Sequence, residues 1–383
     1  MPESIPQKTG ASHHLLSAHS LGLARQAPIS ATHQLHFPFG RWRDFPESSR
    51  YTMAETSQKA AVSPKTQKIF GSWAGMLAAC LIACFLWGSA FPCVKIGYAL
   101  FGIAASDTAS IIMFAGVRFT LAGLLVVAAL SIARRKPFLP EKRDLKVIGI
   151  LSLFQTILQY LFFYVGLAHA TGVTSSIIEA TNTFFSVLLA ALVFRNERLT
   201  TRKVLGCIVG FAGVALVDLA GQTGAGFTFT LAGEGLVLAS TIAAATTSNL
   251  AKHFSEEHDP VLLSAWQFVF GGLVMLIVGA AAGGHVAPAP ASDPVASNLL
   301  LLYLAFISAA AYSLWSVALA CNPLSRVAVF GFMNPVFGVI LSALLLNEGS
   351  VLDPATAIIS LILVSAGIII VNRPAEEPKP AKA

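Results

Sequence analysis

From about Ser72 onward the chain is one apolar stretch after another, each near the roughly 20 residues that an α-helix needs to cross a bilayer. Marking runs bounded by charge, Gly or Pro gives ten, near 72–98, 109–131, 145–167, 172–194, 203–219, 231–251, 261–281, 299–320, 325–346 and 352–371. A closed barrel would show alternating segments of about ten residues instead, so the unbroken runs predict an all-α membrane protein. Charged residues make up 11% of the chain, against about a quarter in a soluble domain, so water is not its main solvent.

The loops set the expected topology. ARRKPFLPEKRDLK (133–146) joins the second and third runs and RNERLTTRK (195–203) the fourth and fifth, with Lys252 and Arg326 in the remaining loops of that side. The connections around Asp107, His169, Gln222, His285 and Glu348 hold no Lys or Arg. By the positive-inside rule the basic loops and both termini are cytoplasmic. The net charge of +6 then reports topology; it lacks the interleaved basic and aromatic face that nucleic-acid binding requires.

RNERLTTRK has a counterpart, LNEGSVLDP (346–354), behind a similar apolar run but without the cations. The likeness extends further: GVTSSIIEATNTFFSVLLAALVFRNE stands over LSRVAVFGFMNPVFGVILSALLLNE, and VRFTLAGLLVV over WQFVFGGLVML, each near a 150-residue offset. An odd unit of five helices repeated in tandem re-enters the membrane upside down, which puts the second loop on the other side and explains its missing charge. The expected domains are a disordered cytoplasmic extension over 1–70, repeats over 72–219 and 231–371, and a cytoplasmic tail over 372–383. Residues 1–50 faintly resemble an organelle transit peptide, and Met53 reads as a possible true start.

Polar residues within the runs are the candidates for function, because a mid-bilayer charge costs about 2.5–3.5 kcal/mol on insertion scales and requires a partner or water. Arg118, Gln159 and Glu179 each fall seven or eight residues below an outer end, about 10–13 Å deep at the helical rise. Gln155 and Gln159 share one helix face, and Glu179, Asn182 and Thr183 share another. Two readings stand. In one, Glu179 binds a substrate amine or a coupling proton while Arg118 holds Glu179 or a substrate carboxylate; in the other, the two charges pair to knit helices together. Trp87, Tyr160, Tyr164, Tyr312 and Trp315 are candidate aromatic walls for an apolar or aromatic substrate, with lipid-facing and packing roles as the alternative. Pro92 and Pro335, the latter behind Asn334, are candidate kinks, and Lys95 is expected to snorkel to the outer interface.

No metal or cofactor is expected. Cys80, Cys84, Cys93, Cys207 and Cys321 read as small packing residues, the histidines of ASHHLLSAHS as polar filler, and KHFSEEHD (252–259) as a solvated inner loop. Nothing matches G-x-S-x-G, H-E-x-x-H or a Walker loop, which argues against an intramembrane enzyme or an ATP-driven pump. A channel would need a ring of like charges or a repeated filter.

The pieces FLWGSAF (85–91), VRFTLAGLL (117–125), ALVFRNERLTTRKVLGCIVGFAGVALV (191–217) and FMNPVFGVILSALLLNE (332–348) in this order resemble the EamA family of the drug/metabolite transporter superfamily, over roughly residues 72–372. The resemblance implies a ten-helix plasma-membrane carrier of small metabolites, often amino acids moved outward, working by alternating access through a central cavity. It also inclines Arg118 toward a structural role, since the motif around it is shared by carriers of dissimilar substrates. Many relatives have Pro where this chain has Thr183-Phe184 in the fourth run, whereas the ninth keeps Asn334-Pro335. The partners implied are a small-molecule substrate, the lipid bilayer and, as a possible coupling ion, the proton. The alternatives are efflux of drugs or organic cations, and exchange of a phosphorylated or nucleotide-linked metabolite, which needs more intramembrane cations than Arg118.

Overall fold

The computed structural model describes residues 64–195, 199–222, 229–254, 257–322, 327, 330–348 and 353–372. The extension before residue 64, including Met53, and the tail after residue 372 lie outside the described residues, as do Glu197, Arg198 and Arg326. After a short α1 (Pro64–Phe70) come α2 (Trp73–Leu100), α3 (Thr108–Arg134) and α4 (Lys142–Leu151). α4 runs through a π-helical stretch, Ser152–Gln159, into α5 (Tyr160–His169). The first half ends with α6 (Gly172–Glu179), α7 (Thr181–Leu192) and α8 (Thr201–Gln222). A π turn, Leu231–Gly235, leads into α9 (Leu236–Phe254), followed by α10 (Pro260–Ala281) and α11 (Pro294–Cys321). A 3-10 turn, Phe330–Phe332, opens α12 (Met333–Leu345), and α13 (Pro354–Asn372) closes the described chain.

The helix starts are written locally. Ser72, Asp107, Thr171, Asp259 and Asp293 each accept a backbone N–H from the first turn of the helix that follows, satisfying donors that otherwise have no intrahelical partner. Pro260 and Pro294 stand at the first helical position, where a missing N–H costs nothing. Among the described residues, seven helical segments are long and apolar enough to cross a membrane: Trp73–Leu100, Thr108–Arg134, Lys142–His169, Gly172–Leu192, Pro260–Ala281, Pro294–Leu319 and Pro354–Asn372. Large apolar side chains such as Ile277, Phe306 and Ile362 stay exposed on them, as lipid-facing surfaces do. The chain is an all-α, multi-pass membrane protein.

Three readings of the sequence need correction. The fifth run is not the short 203–219 but Thr201–Gln222, because the Thr200 hydroxyl accepts the Lys203 N–H at 3.4 Å and starts the helix inside the basic loop. The fourth is not continuous: it breaks at Ala180, whose N–H turns back to the Ile177 carbonyl at 3.2 Å. The third carries the π-helical stretch, and both glutamine candidates lie within it.

Packing follows a pattern of exchange. α3 lies along α10, α8 along α13 and α6 against α12. α2 packs on α11 and α12, while α9 packs on the 152–169 segment and on α7. Replacing each apolar run by the one five places away turns the α2 contacts into the α9 contacts and leaves the other pairs unchanged. At the α3–α10 crossing the backbones nearly touch: a Cβ on Gly116 would lie 2.5 Å from the Leu276 nitrogen, and one on Gly272 would lie 2.5 Å from the Thr120 nitrogen. Beside this crossing is the main core, with Phe114, Phe119, Tyr164, Phe268 and Leu304.

Candidate functional site

The break between α6 and α7 sets Glu179 at a helix end instead of along a continuous rod. Thr181 stabilises the break, its hydroxyl donating to the Ile178 carbonyl at 2.7 Å and meeting the Thr241 hydroxyl of α9 at 3.1 Å. Glu179 is partly accessible. Its Oε2 lies 3.3 Å from the Ser240 hydroxyl, but that hydroxyl also lies 2.6 Å from the Val237 carbonyl, and its one proton favours the shorter bond. The carboxyl group is thus weakly held, and no ion pair to it occurs among the described residues. It retains acceptor capacity for a ligand.

Arg118 does not meet Glu179. It is 3% exposed, and its guanidinium spreads over three acceptors: Nε donates to the Leu304 carbonyl at 3.0 Å, one terminal nitrogen to the Tyr164 hydroxyl at 2.5 Å, and the other to Ser308 Oγ at 3.1 Å. The charge also lies over the rings of Phe119 and Tyr164, 5.0 and 5.8 Å from their centres. Of the two sequence readings, the knitting role survives with other partners: Arg118 ties α3 to α11 and α5. The expected carboxylate partner fails because the Leu304 carbonyl and the Tyr164 and Ser308 hydroxyls occupy the fork. Tyr164 is wholly buried, with its hydroxyl committed to Arg118, so it belongs to the core and not to a cavity wall.

The other aromatic candidates do come together. Trp87 meets Tyr312 edge-on at 5.3 Å and Trp315 at 5.4 Å, and the Tyr160 and Tyr312 hydroxyls are 3.0 Å apart. Tyr160 stacks on Phe119 at 4.0 Å. Trp87, Tyr160, Tyr312 and Trp315 are all half-buried. The Tyr312 hydroxyl lies within electrostatic reach of both Glu179 and Arg118 and beside the Gln155 amide, so acid, aromatics and amide share one region.

Gln155 is held by a residue that its own pattern does not reveal. The Gln267 side-chain N–H donates to Gln155 Oε1 at 2.7 Å, while the Gln267 carbonyl faces the hydroxyls of Ser152 and Thr156, each at 3.2 Å. Gln267 is 1% exposed, and its own Oε1 has no hydrogen-bond partner. Its signal in the sequence was the alignment of VRF with WQF, which makes it the counterpart of Arg118. Where Arg118 ties α3 to α11, Gln267 ties α10 to the π-helical stretch.

The remaining candidates sit around this group. Gln159 is buried; Asn182 and Thr183 are half-buried, and Asn182 Oδ1 accepts from Ser186 at 3.3 Å. Asn334 Oδ1 is enclosed without a partner in the first turn of α12. Lys95 does not snorkel: its ammonium donates to the Ala170 carbonyl at 2.7 Å and lies 3.6 Å from Glu348. His258 is not a solvated loop residue either, because its Nδ1 is 2.6 Å from Asp144 Oδ1 and both side chains are nearly enclosed. The five cysteines are free and buried. No cluster of three or more potential metal ligands occurs among the described residues.

Comparison with known proteins places the chain in a family. The model of the EamA-like transporter family matches twice, over residues 73–218 and 231–373. A probable terminal-alkyne amino-acid exporter of Streptantibioticus cattleyicolor is 26% identical over 295 residues, covering 75% of this chain and 90% of that protein. A probable amino-acid metabolite efflux pump of Salmonella typhimurium is 26% identical over 284 residues, covering 72% and 87%. A solved crystal structure, 20% identical, superimposes with a TM-score of 0.51 over 78% of this chain and 96% of that one, a likeness of fold. With two matches that together span most of its length, the chain belongs to the EamA-like transporter family and is a membrane transporter, not an enzyme.

Proposed function

We propose that this secondary transporter of the plasma membrane exports a small organic solute bearing an amine, an amino acid or a related metabolite, by alternating access between two inverted halves of five helices with both termini in the cytoplasm. The observation that carries the reading is Glu179: a partly accessible carboxyl at a helix break, with one weak hydroxyl donor, no ion pair among the described residues, and the Tyr312 hydroxyl within electrostatic reach. Such a group suits a substrate ammonium or a coupling proton. Trp87, Tyr160, Tyr312 and Trp315 supply apolar walls, while Asn182 and Thr183 add neutral hydrogen bonds. The exchange symmetry of the helix contacts and the confinement of basic loops to one side support the inverted halves. The names of the two exporter relatives point to the same substrate class.

Efflux of organic cations is the second reading, favoured by the aromatic group around one acid. Exchange of phosphorylated metabolites is disfavoured, since Arg118 spends its donors on Leu304, Tyr164 and Ser308. The test is reconstitution into liposomes with a panel of amino acids, amines and sugars, with and without a pH gradient, for wild type and Glu179→Gln. The expected outcome is a rate at least about ten-fold lower in the variant, with a flattened pH dependence, the factor that corresponds to about 1.4 kcal/mol. An unchanged rate and pH profile would remove Glu179 from the site.

A further inference from the structure

The Lys95–Glu348 contact is more than a surface ion pair, because both partners hold backbone as well as each other. The Lys95 ammonium donates to the Ala170 carbonyl at 2.7 Å and approaches Glu348 Oε1 at 3.6 Å. The other carboxylate oxygen, Oε2, accepts the Val173 N–H at 3.1 Å. The start of α6 is therefore gripped twice, the Ala170 carbonyl just before it by α2 and the Val173 amide in its first turn by the segment that follows α12. Both charged side chains are largely enclosed, 25% and 11% exposed, so water and salt weaken the pair less than they would at an open surface.

The surroundings are shaped for this grip. Asn347 adopts the left-handed conformation, φ 54°, which Asn tolerates and which ends α12 so that Glu348 turns back over the helix. Residue 172 is Gly, and a Cβ there would lie 2.6 Å from Ser342 Oγ and 3.3 Å from Glu348 Oε2. Only a bare backbone lets the carboxylate reach the α6 amide. α6 itself is a rod of eight residues that begins at this grip and ends at Glu179, roughly 10 Å away at the helical rise.

We propose that Lys95 and Glu348 form the latch of one gate of the transport cycle, holding the Gly172 end of α6 against α12 and closing the pathway at that end until the latch opens. The inference rests on the alternating-access reading above. α6 links the latch to Glu179, so opening at one end and occupancy at the other act on one rigid element. By the charge distribution of the loops this is the outer gate, and the conformation described is closed to the outside.

The latch can be tested without a substrate. Spin labels at His169→Cys and Leu345→Cys, both exposed positions, report the distance across it in nanodiscs, in a full chain whose five native cysteines have been replaced. With Lys95 and Glu348 intact, a single short distance is expected. Lys95→Met and Glu348→Gln should each raise the population of a longer distance roughly five-fold or more. Arg134→Ala, which breaks an ion pair with Asp259 elsewhere, should leave the distribution unchanged. If Lys95→Met fails to fold, Glu348→Gln carries the test alone, since its amide oxygen still accepts from Val173 and only the charge is lost. Distances unaltered in Glu348→Gln would overturn the proposal. Because the readout involves no transport, it stands or falls separately from the role of Glu179.

Discussion

The α3–α10 crossing offers the sharpest quantitative test, because two glycine substitutions with the same chemistry should have opposite signs. In Gly116→Ala the new methyl group would sit 2.5 Å from the Leu276 nitrogen, 2.8 Å from its Cα and 2.9 Å from the Gly272 carbonyl oxygen. All three are backbone atoms of the facing helix, so no side-chain rotation relieves the contact. The helices must separate by about 1 Å along most of their shared length, an overpacking that costs about 1–3 kcal/mol. Gly149, on the exposed face of α4, has nothing within 4 Å of its would-be Cβ. There Gly→Ala only restricts the unfolded chain and should stabilise by about 0.5–1 kcal/mol. The assay is reversible unfolding from mixed micelles, following helix content by circular dichroism as the denaturing detergent fraction rises. The midpoint should move down for Gly116→Ala and up for Gly149→Ala. A Gly116→Ala midpoint at or above the wild-type value would refute the close backbone approach, and with it the register of the two helices.

Two further outcomes follow from side-chain geometry. Arg118→Lys keeps the charge but cannot reach all three acceptors with one ammonium; leaving at least one buried acceptor unpaired should cost about 1–3 kcal/mol in the same unfolding assay. Transport KM should move far less, as befits a group that touches helices and not substrate. Asp107 caps α3 by accepting the Ser110 N–H at 3.0 Å, and this hydrogen bond holds its carboxyl below the usual carboxylate value of 3.8. Since folding lowers that value, the cap contributes fully at neutral pH and fades as pH falls through the folded-state value. Asp107→Asn, an equally good cap, should match wild-type stability at pH 7 to within about 0.5 kcal/mol and lose less stability on acidification, as read from unfolding midpoints across the acid range.

Helix positions were legible because the bilayer demands long apolar runs, and hydropathy measures that demand directly. Discontinuities within a run were not. In GVTSSIIEATNTFF no Gly or Pro stands at the break; polar Glu179 and the back-bonded Thr181 make it, and a hydropathy profile averages both away. The depth of Arg118 was readable, but its partners were not, because the Leu304 carbonyl is a backbone group with no sequence signature. The aromatic candidates all join one group, but Trp87, Tyr160, Tyr312 and Trp315 are half-buried while Tyr164, edge-on to Tyr160 at 6.4 Å, is wholly buried. Tyr160 and Tyr164 share a helix face, so the difference is one of position along that face, which depends on the neighbouring helices. His258 read as solvent-facing because its segment is charged, yet Asp144 at the start of α4 waits across the fold to pair with it.

The proposed halves share a scaffold and differ in chemistry, and under the proposed function the differences bear on the choice of substrate. Arg118 and Gln267 occupy matching crossings and do matching structural work, each fastening its helix to a neighbour through side-chain donors. Glu179 has no such echo. At the offset that superposes the two Asn-Glu pairs it aligns with Phe330, the first residue of the 3-10 turn that opens α12 in the ninth run. Both runs therefore depart from the regular α-helix at matching sequence positions, 179 carrying a carboxylate and 330 a phenyl ring. A carrier for a dianion would need cations at one or both breaks, whereas an acid at one matching position and an aromatic ring at the other suit an ammonium beside an apolar body. On the proposed function, the asymmetry between Glu179 and Phe330 favours amines and zwitterions as substrates, even though the frame around it repeats.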